Sequence, residues 1–207
     1  VGTVVQFMDP TVTELYGEAG FDFVWIDLEH SAMSISDALG HVRAARGTNT
    51  AAFIRVPSRD PVLVKPILEL HPAAVIIPRI ESVSDAEAAV KACRYPPDGI
   101  RGIGPARGVR FGGRDMVDYL EKSAKETMVI LQIEHIDAVN EIEAILDVPG
   151  IDSIVPGQGD ISGSMGLLGQ PNHPDVIAAV ETIFTAAKRK RIPFGHSTGY
   201  DPELTKK

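Results

Sequence analysis

The chain has 207 residues and a single cysteine, Cys93. One cysteine closes no internal disulfide, which excludes a disulfide-stapled scaffold and points to a reducing, cytoplasmic setting. No apolar run approaches the roughly 20 residues of a membrane-spanning helix, so no membrane role is expected. Basic residues are in deficit, 20 Lys and Arg against 28 Asp and Glu, giving a net charge of −8. A broad nucleic-acid footprint is therefore not expected. There is no Gly-x-Ser-x-Gly elbow and no Walker A loop, and Gly102-Ile103-Gly104 is too short and too late for a dinucleotide fingerprint. His41, His71, His135 and His173 show no metal-ligand spacing. None of the eight lysines falls at the end of an apolar run, which removes the desolvated lysine that Schiff-base chemistry needs. What remains is ordinary globular composition, 44% hydrophobic and 23% charged, in a length that suits one domain over residues 1–207.

Seven short apolar runs alternate with amphipathic ones. VGTVVQF (1–7), FDFVWIDL (21–28), AAFIRV (51–56), AAVIIP (73–78), MVILQIE (128–134), IDSIVP (151–156) and IPFGH (192–196) read as strands. Several are nearly continuous in Val, Ile and Phe, as in parallel strands covered on both faces. Between them, Thr11 with Glu14 and Ser84 with Glu87 fit capping boxes, and Asp60-Pro61 and Pro174 fit helix starts. Lys188, Arg189 and Lys190 suit a helix C-terminus. Strand–helix alternation of this kind predicts a (β/α)8 barrel or a doubly wound sheet. Cys93, on the helix after the fourth strand, reads as a small core residue. Residues 94–115, rich in Gly, Pro and Arg, read as a long functional loop.

In such folds reactive groups gather at the C-terminal ends of strands. The polar residues there are Asp27, Glu29 and His30, then Arg55, Arg79, Gln132 and Glu134, then Gln158 and Asp160, and finally His196. Gln132 and Glu134 are two apart and share a face. Glu134 and Asp160 form a hard, oxygen-rich pair suited to Mg²⁺ or Mn²⁺, or else an ordinary solvated or salt-bridged pair. His30 is either a general base or a hydrogen-bonded structural histidine. Arg55, inside an apolar strand, must meet an anion. That anion is either Asp27 or Glu29 or a substrate oxyanion. Glu69 closes the helix after the third strand.

FDFVWIDLEH (21–30), Arg55-Val56-Pro57, RYPPDGIRGIG (94–104), LQIE (131–134), GQGDIS (157–162) and PNHPDV (171–176) occur in this order. Together they resemble the HpcH/HpaI aldolases, over residue 1 to about 196. The resemblance implies a (β/α)8 TIM barrel of the phosphoenolpyruvate/pyruvate type. It implies a class II, metal-dependent aldolase that cleaves a 4-hydroxy-2-oxo acid to pyruvate and an aldehyde through a pyruvate enolate. By the same resemblance Glu134 and Asp160 ligate Mg²⁺ or Mn²⁺, with Co²⁺ as an alternative. His30 and Arg55 are catalytic, Gln132, Gly157, Gly159 and Arg55 bind pyruvate, and Glu69 matches an aspartate that works with the histidine.

The resemblance further implies a homo-oligomer, a hexamer or trimer of dimers. It also implies a barrel incomplete at both ends of this chain, since the family continues into an eighth strand and a terminal helix. The chain departs from the family pattern at Glu69, at Leu70-His71-Pro72, and at GQGDIS where GPADLS is common. Arg107, Arg110 and Arg114 could receive an anionic aldehyde, cover the mouth or meet a neighbouring subunit. Rival readings are a malyl-CoA or citramalyl-CoA lyase, an oxaloacetate decarboxylase, and a non-catalytic barrel that binds carboxylates.

Overall fold

Six of the seven apolar runs pair as strands in a computed structural model that describes residues 1–197. They are β1 (Gly2–Val5), β2 (Phe23–Asp27), β3 (Ala51–Arg55), β4 (Ala74–Ile80), β5 (Met128–Ile133) and β6 (Ser153–Pro156). Their order in the sheet is their order in the chain. β1 to β4 pair in parallel, with Asp27 opposite Arg55 and Arg55 opposite Ile76. The Met128 N–H donates to the Ala73 carbonyl where β5 begins, and the Gly157 N–H to the Ile133 carbonyl where β6 ends. The fold is thus α/β with a parallel sheet.

The chain divides into two compact units, residues 1–78 with 87–130, and residues 79–86 with the chain from 131 onward. The first unit holds α1 (Thr11–Glu18), α2 (Ile35–Arg46), α3 (Pro61–Leu68), most of α4 (Val83–Cys93) and α5 (Met116–Glu126). Its core includes Val24, Ile26, Ile54, Ile67, Ile76 and Ile77, all essentially inaccessible, and the buried Cys93 joins it. The second holds α6 (Ile136–Asn140), α7 (Ile142–Ile145), α8 (Gln158–Ser164) and α9 (Pro174–Lys190), packed through Ile133, Ile145, Ile154, Ile161, Val176 and Ile183. Each such aliphatic side chain contributes about 1.5–3 kcal/mol by leaving water. The lysines among the described residues all lie on helices.

Three local expectations are corrected. The run 192–196 forms only a one-residue bridge, Phe194 to Ile154, because Pro193 has no N–H to continue a ladder. Thr11 and Glu14 form no box; Pro10 is the N-cap, and the Thr11 N–H is taken by the Asp9 carboxylate at 3.0 Å. For α4 the capping oxygen is Ser82 Oγ, which accepts from the Asp85 N–H at 3.2 Å. Asp60 and Pro61 start α3, and His173 and Pro174 start α9. The final DPELTKK lies outside the described residues.

Candidate active site

Because β2 and β3 are parallel and in register, their last residues, Asp27 and Arg55, sit side by side. Arg55 Nε donates to Asp27 Oδ1 at 2.9 Å and Nη2 to Oδ2 at 2.7 Å, while Nη1 lies 3.1 Å from Glu29 Oε2. The guanidinium also stands 5.3 Å from the centre of the Trp25 ring. Both protein anions open to Arg55 in the sequence are therefore engaged. The side chains of Arg55 and Asp27 are 10% and 0% exposed, so the ion pair is held in a dry, fixed geometry.

Asp27 also braces the following turn. It accepts the N–H groups of Glu29 (3.0 Å) and His30 (3.2 Å), and Gln6 Nε2 at 2.8 Å. The Gln6 amide further reaches the His30 carbonyl at 3.4 Å. Burial pushes the Asp27 carboxyl up, but the hydrogen bonds of Arg55 and Gln6 and the guanidinium charge hold it below its ordinary value. The His30 side chain stays 61% exposed, with Nε2 3.7 Å from Glu29 Oε2. The first unit thus presents a braced cation and an accessible imidazole at its strand ends.

The second unit holds Glu134 and Asp160, which follow β5 and β6. Glu134 directly follows β5 and is buried, as is Gln132. Glu134 Oε2 accepts the Arg79 N–H at 2.7 Å. Arg79 takes a left-handed φ of 57° to present that N–H, a conformation that costs a non-glycine residue stability and clusters at functional sites. A Cβ on Gly157 would fall 2.6 Å from Glu134 Cγ and Oε1, so any larger residue here would displace this carboxylate. Gly159 has no such crowding. Asp160 is exposed in the first turn of α8. Gln158 turns away to donate to the Pro171 carbonyl at 2.6 Å.

Among the described residues no group of three or more His, Cys, Asp and Glu side chains gathers as a metal cage. Glu134 and Asp160 offer hard carboxylate oxygens without thiolate or imidazole. That donor set fits Mg²⁺ or Mn²⁺, which keep several positions for water and substrate.

Topology counts against the Glu69 expectation and against one of the three readings left open for Arg107 and Arg114. α3 starts just after the C-terminal end of β3 and returns to the start of β4, so its C-cap Glu69 lies toward the opposite end of the strands from His30. Ala73, four residues on, already donates its N–H to Ala52 at the start of β3. The five residues of β3 span about 16 Å, and Glu69 instead accepts from Arg101 Nη2 at 2.9 Å. The carboxylate nearest the His30 imidazole is Glu29, at 3.7 Å, and Asp27 holds the His30 backbone N–H. Likewise Arg107 donates to the Leu70 carbonyl and Arg114 pairs with Asp118 and Glu126, at the starts of β4 and β5. These two arginines do not face the reactive strand ends. Gln6 is the functional candidate to gain; it is the polar residue next after β1, the same strand-end signal that marked Asp27 and Arg79.

In the first unit the strand ends carry a braced guanidinium and an open histidine; in the second, Glu134 and Asp160 follow β5 and β6. The family described as HpcH/HpaI aldolase/citrate lyase matches residues 4–197, and the chain belongs to it. It is 34% identical over 196 residues to a 5-keto-4-deoxy-D-glucarate aldolase of Klebsiella pneumoniae, covering 94% of this chain and 76% of that one. The crystal structure of an HpcH/HpaI aldolase from Desulfitobacterium hafniense superposes with a TM-score of 0.91 at 29% identity, over 99% of this chain and 80% of that one. A family protein from Burkholderia cenocepacia gives 0.90 at 32%, over 99% and 81%. The protein is an enzyme, a lyase of the aldolase type.

Proposed function

We propose that the enzyme is a class II pyruvate aldolase. It cleaves a 4-hydroxy-2-oxo acid, with 5-keto-4-deoxy-D-glucarate as the first candidate given its relatives, and releases pyruvate and an aldehyde. The observation that carries the reading is the buried Arg55, fixed by Asp27 and Glu29 beside the open His30 at the ends of β2 and β3. We read the parallel strands as part of a (β/α)8 barrel. A homo-oligomer, hexameric or a trimer of dimers, and a cytoplasmic location complete the reading; the buried free Cys93 fits a reducing compartment.

In cleavage the 4-hydroxyl gives up its proton, the C3–C4 bond breaks, and its electron pair becomes the pyruvate enolate. C3 then takes a proton to give the methyl group. His30 moves these protons, directly or through water, because its exposed imidazole can both accept and donate a proton. Arg55 holds the developing oxyanion. Asp27 and Glu29 fix its guanidinium beforehand, so no reorganisation accompanies the charge change. Asp27 is a positioning residue: it sets Arg55 and the His30 backbone together. Gln132 and the Gly157 backbone orient the carboxylate of pyruvate. Glu134 and Asp160 would hold Mg²⁺ or Mn²⁺, with Co²⁺ as a substitute, and a cation bound there supplies Lewis-acid polarisation of the keto oxygen.

The test is pyruvate release from 5-keto-4-deoxy-D-glucarate, followed by lactate dehydrogenase, after chelation and metal return. Oxaloacetate, malyl-CoA and citramalyl-CoA are run in parallel. Metal-dependent release from the hydroxy-oxo acid supports the reading; turnover of a CoA ester or of oxaloacetate alone contradicts it.

A further inference from the structure

Among the described residues, Arg43, Arg46 and Arg107 of the first unit make no ion pair with a carboxylate. Arg43 and Arg46 lie one turn apart at the end of α2, both exposed. Among the described residues neither makes an ion pair with an acid, and Arg46 Nη2 faces His71 Nδ1 at 3.5 Å. His71 supplies no counter-charge. Its Nε2 lies 3.2 Å from Glu126 Oε2 and donates there, which leaves Nδ1 a neutral acceptor. Arg107 reaches the adjoining residue, its Nε donating to the Leu70 carbonyl at 3.0 Å. Its Nη2 is shielded from solvent and meets no acceptor.

The neighbouring arginines differ. Arg101 has Glu69 at 2.9 Å, and Arg114 has Glu126 at 2.8 Å. Burial, then the charges of Arg46 and Arg43, push the Arg107 guanidinium below its ordinary range. The three cations are thus close enough to repel, in a chain whose net charge is −8. Such a spot draws an anion.

We propose that Arg43, Arg46 and Arg107 bind an oxyanion of the phosphate class. Guanidinium forks match tetrahedral oxyanions. A dianion with several acceptor oxygens serves three separate forks, whereas a carboxylate brings two oxygens and one charge. Leu70 and His71 precede β4, so this site lies at the strand starts, apart from His30 and Arg55 at the strand ends of the same unit. Its occupant is a stabilising or regulating ion, free phosphate or the phosphate group of a metabolite, and not the substrate of the strand ends.

Thermal unfolding with increasing inorganic phosphate, against chloride of equal ionic strength, tests this. The wild type should gain about 3–6 °C in Tm, saturably, at a tenfold excess over Kd. Arg46→Gln and the double variant Arg43→Gln/Arg46→Gln, both at exposed positions, should bind at least tenfold more weakly. His30→Ala should respond like the wild type. Arg46→Glu brings in the missing charge; it should raise Tm without phosphate and abolish the response. Glycerol phosphate giving the same gain as inorganic phosphate assigns the site to phosphate groups of metabolites, and a gain with inorganic phosphate alone assigns it to the free ion. No gain beyond chloride, an equal gain in the double variant, or loss of the gain only in His30→Ala overturns the proposal.

Discussion

Removing Asp27 should both unfold and misalign the first unit. The carboxylate is fully buried and receives two hydrogen bonds from Arg55, one from Gln6 and two from backbone N–H groups. In Asp27→Ala all five donors lose their acceptor, and Arg55 keeps only Glu29 at 3.1 Å. Breaking a buried ion pair from one side costs about 3–5 kcal/mol. In a domain of this size that lowers Tm by roughly 6–20 °C. Urea unfolding of Asp27→Ala, Arg55→Leu and the double variant measures it. The double variant should be at least about 1.5 kcal/mol more stable than the sum of the singles implies, because it no longer buries a lone charge. Singles within about 0.5 kcal/mol of wild type, or strict additivity, would refute the reasoning. The pH dependence has a definite sign. The folded carboxyl titrates below its ordinary 3.8, so its stabilisation is complete above the unfolded value and is lost as pH falls through the folded one. Asp27→Asn should therefore show a shallower acid limb below about pH 4.

Gly157→Ala should cut turnover by about tenfold or more with little change in urea midpoint, since the added methyl meets a carboxylate side chain that can swing away; unchanged kinetics would remove Glu134 from the reaction. Glu134→Gln and Asp160→Asn should each abolish metal-dependent turnover while far-UV circular dichroism stays native. His41 is held neutral between Thr13 Oγ1 and the Phe7 carbonyl, each at 2.8 Å, and burial lowers its pKa below 6.5. Its stabilisation is therefore full above about pH 6.5 and falls below it. His71 and His196 are shifted the same way, so His41→Gln should flatten the loss of stability between about pH 6.5 and 5, though not remove it.

The sheet was legible because parallel strands bury both faces and therefore read as unbroken apolar runs, as at Ile26 and Ile76. The rule failed at 192–196, where Pro193 lacks the donor a ladder needs. Helix starts were legible where proline marks them, at Pro61 and Pro174. They were misread where two Ser-x-x-acid patterns overlap, at Ser82 to Glu87, because the helix phase and not the pattern decides which serine caps. Strand-end residues could be identified one by one, His30, Arg55, Gln132, Glu134 and Asp160 among them. Glu69 misled because position along the chain does not say which end of the sheet a helix terminus reaches. The return of α3 takes Glu69 to Arg101, whereas Asp27, three residues before His30, does the bracing. Which residues Arg107 and Arg114 would meet depends on how the loop 94–115 folds, and no periodicity encodes that.

Exchange of the C3 protons of pyruvate in D2O, followed by NMR, tests the central claim most directly, because it reads enolate formation without any assumption about the aldehyde. The protein is stripped with chelator and resupplied with Mg²⁺ or Mn²⁺. Exchange that needs the metal and falls by about 10²-fold or more in His30→Ala is the predicted result. Absence of exchange with either metal in a folded, metal-loaded protein, or exchange at the wild-type rate in His30→Ala, would contradict it.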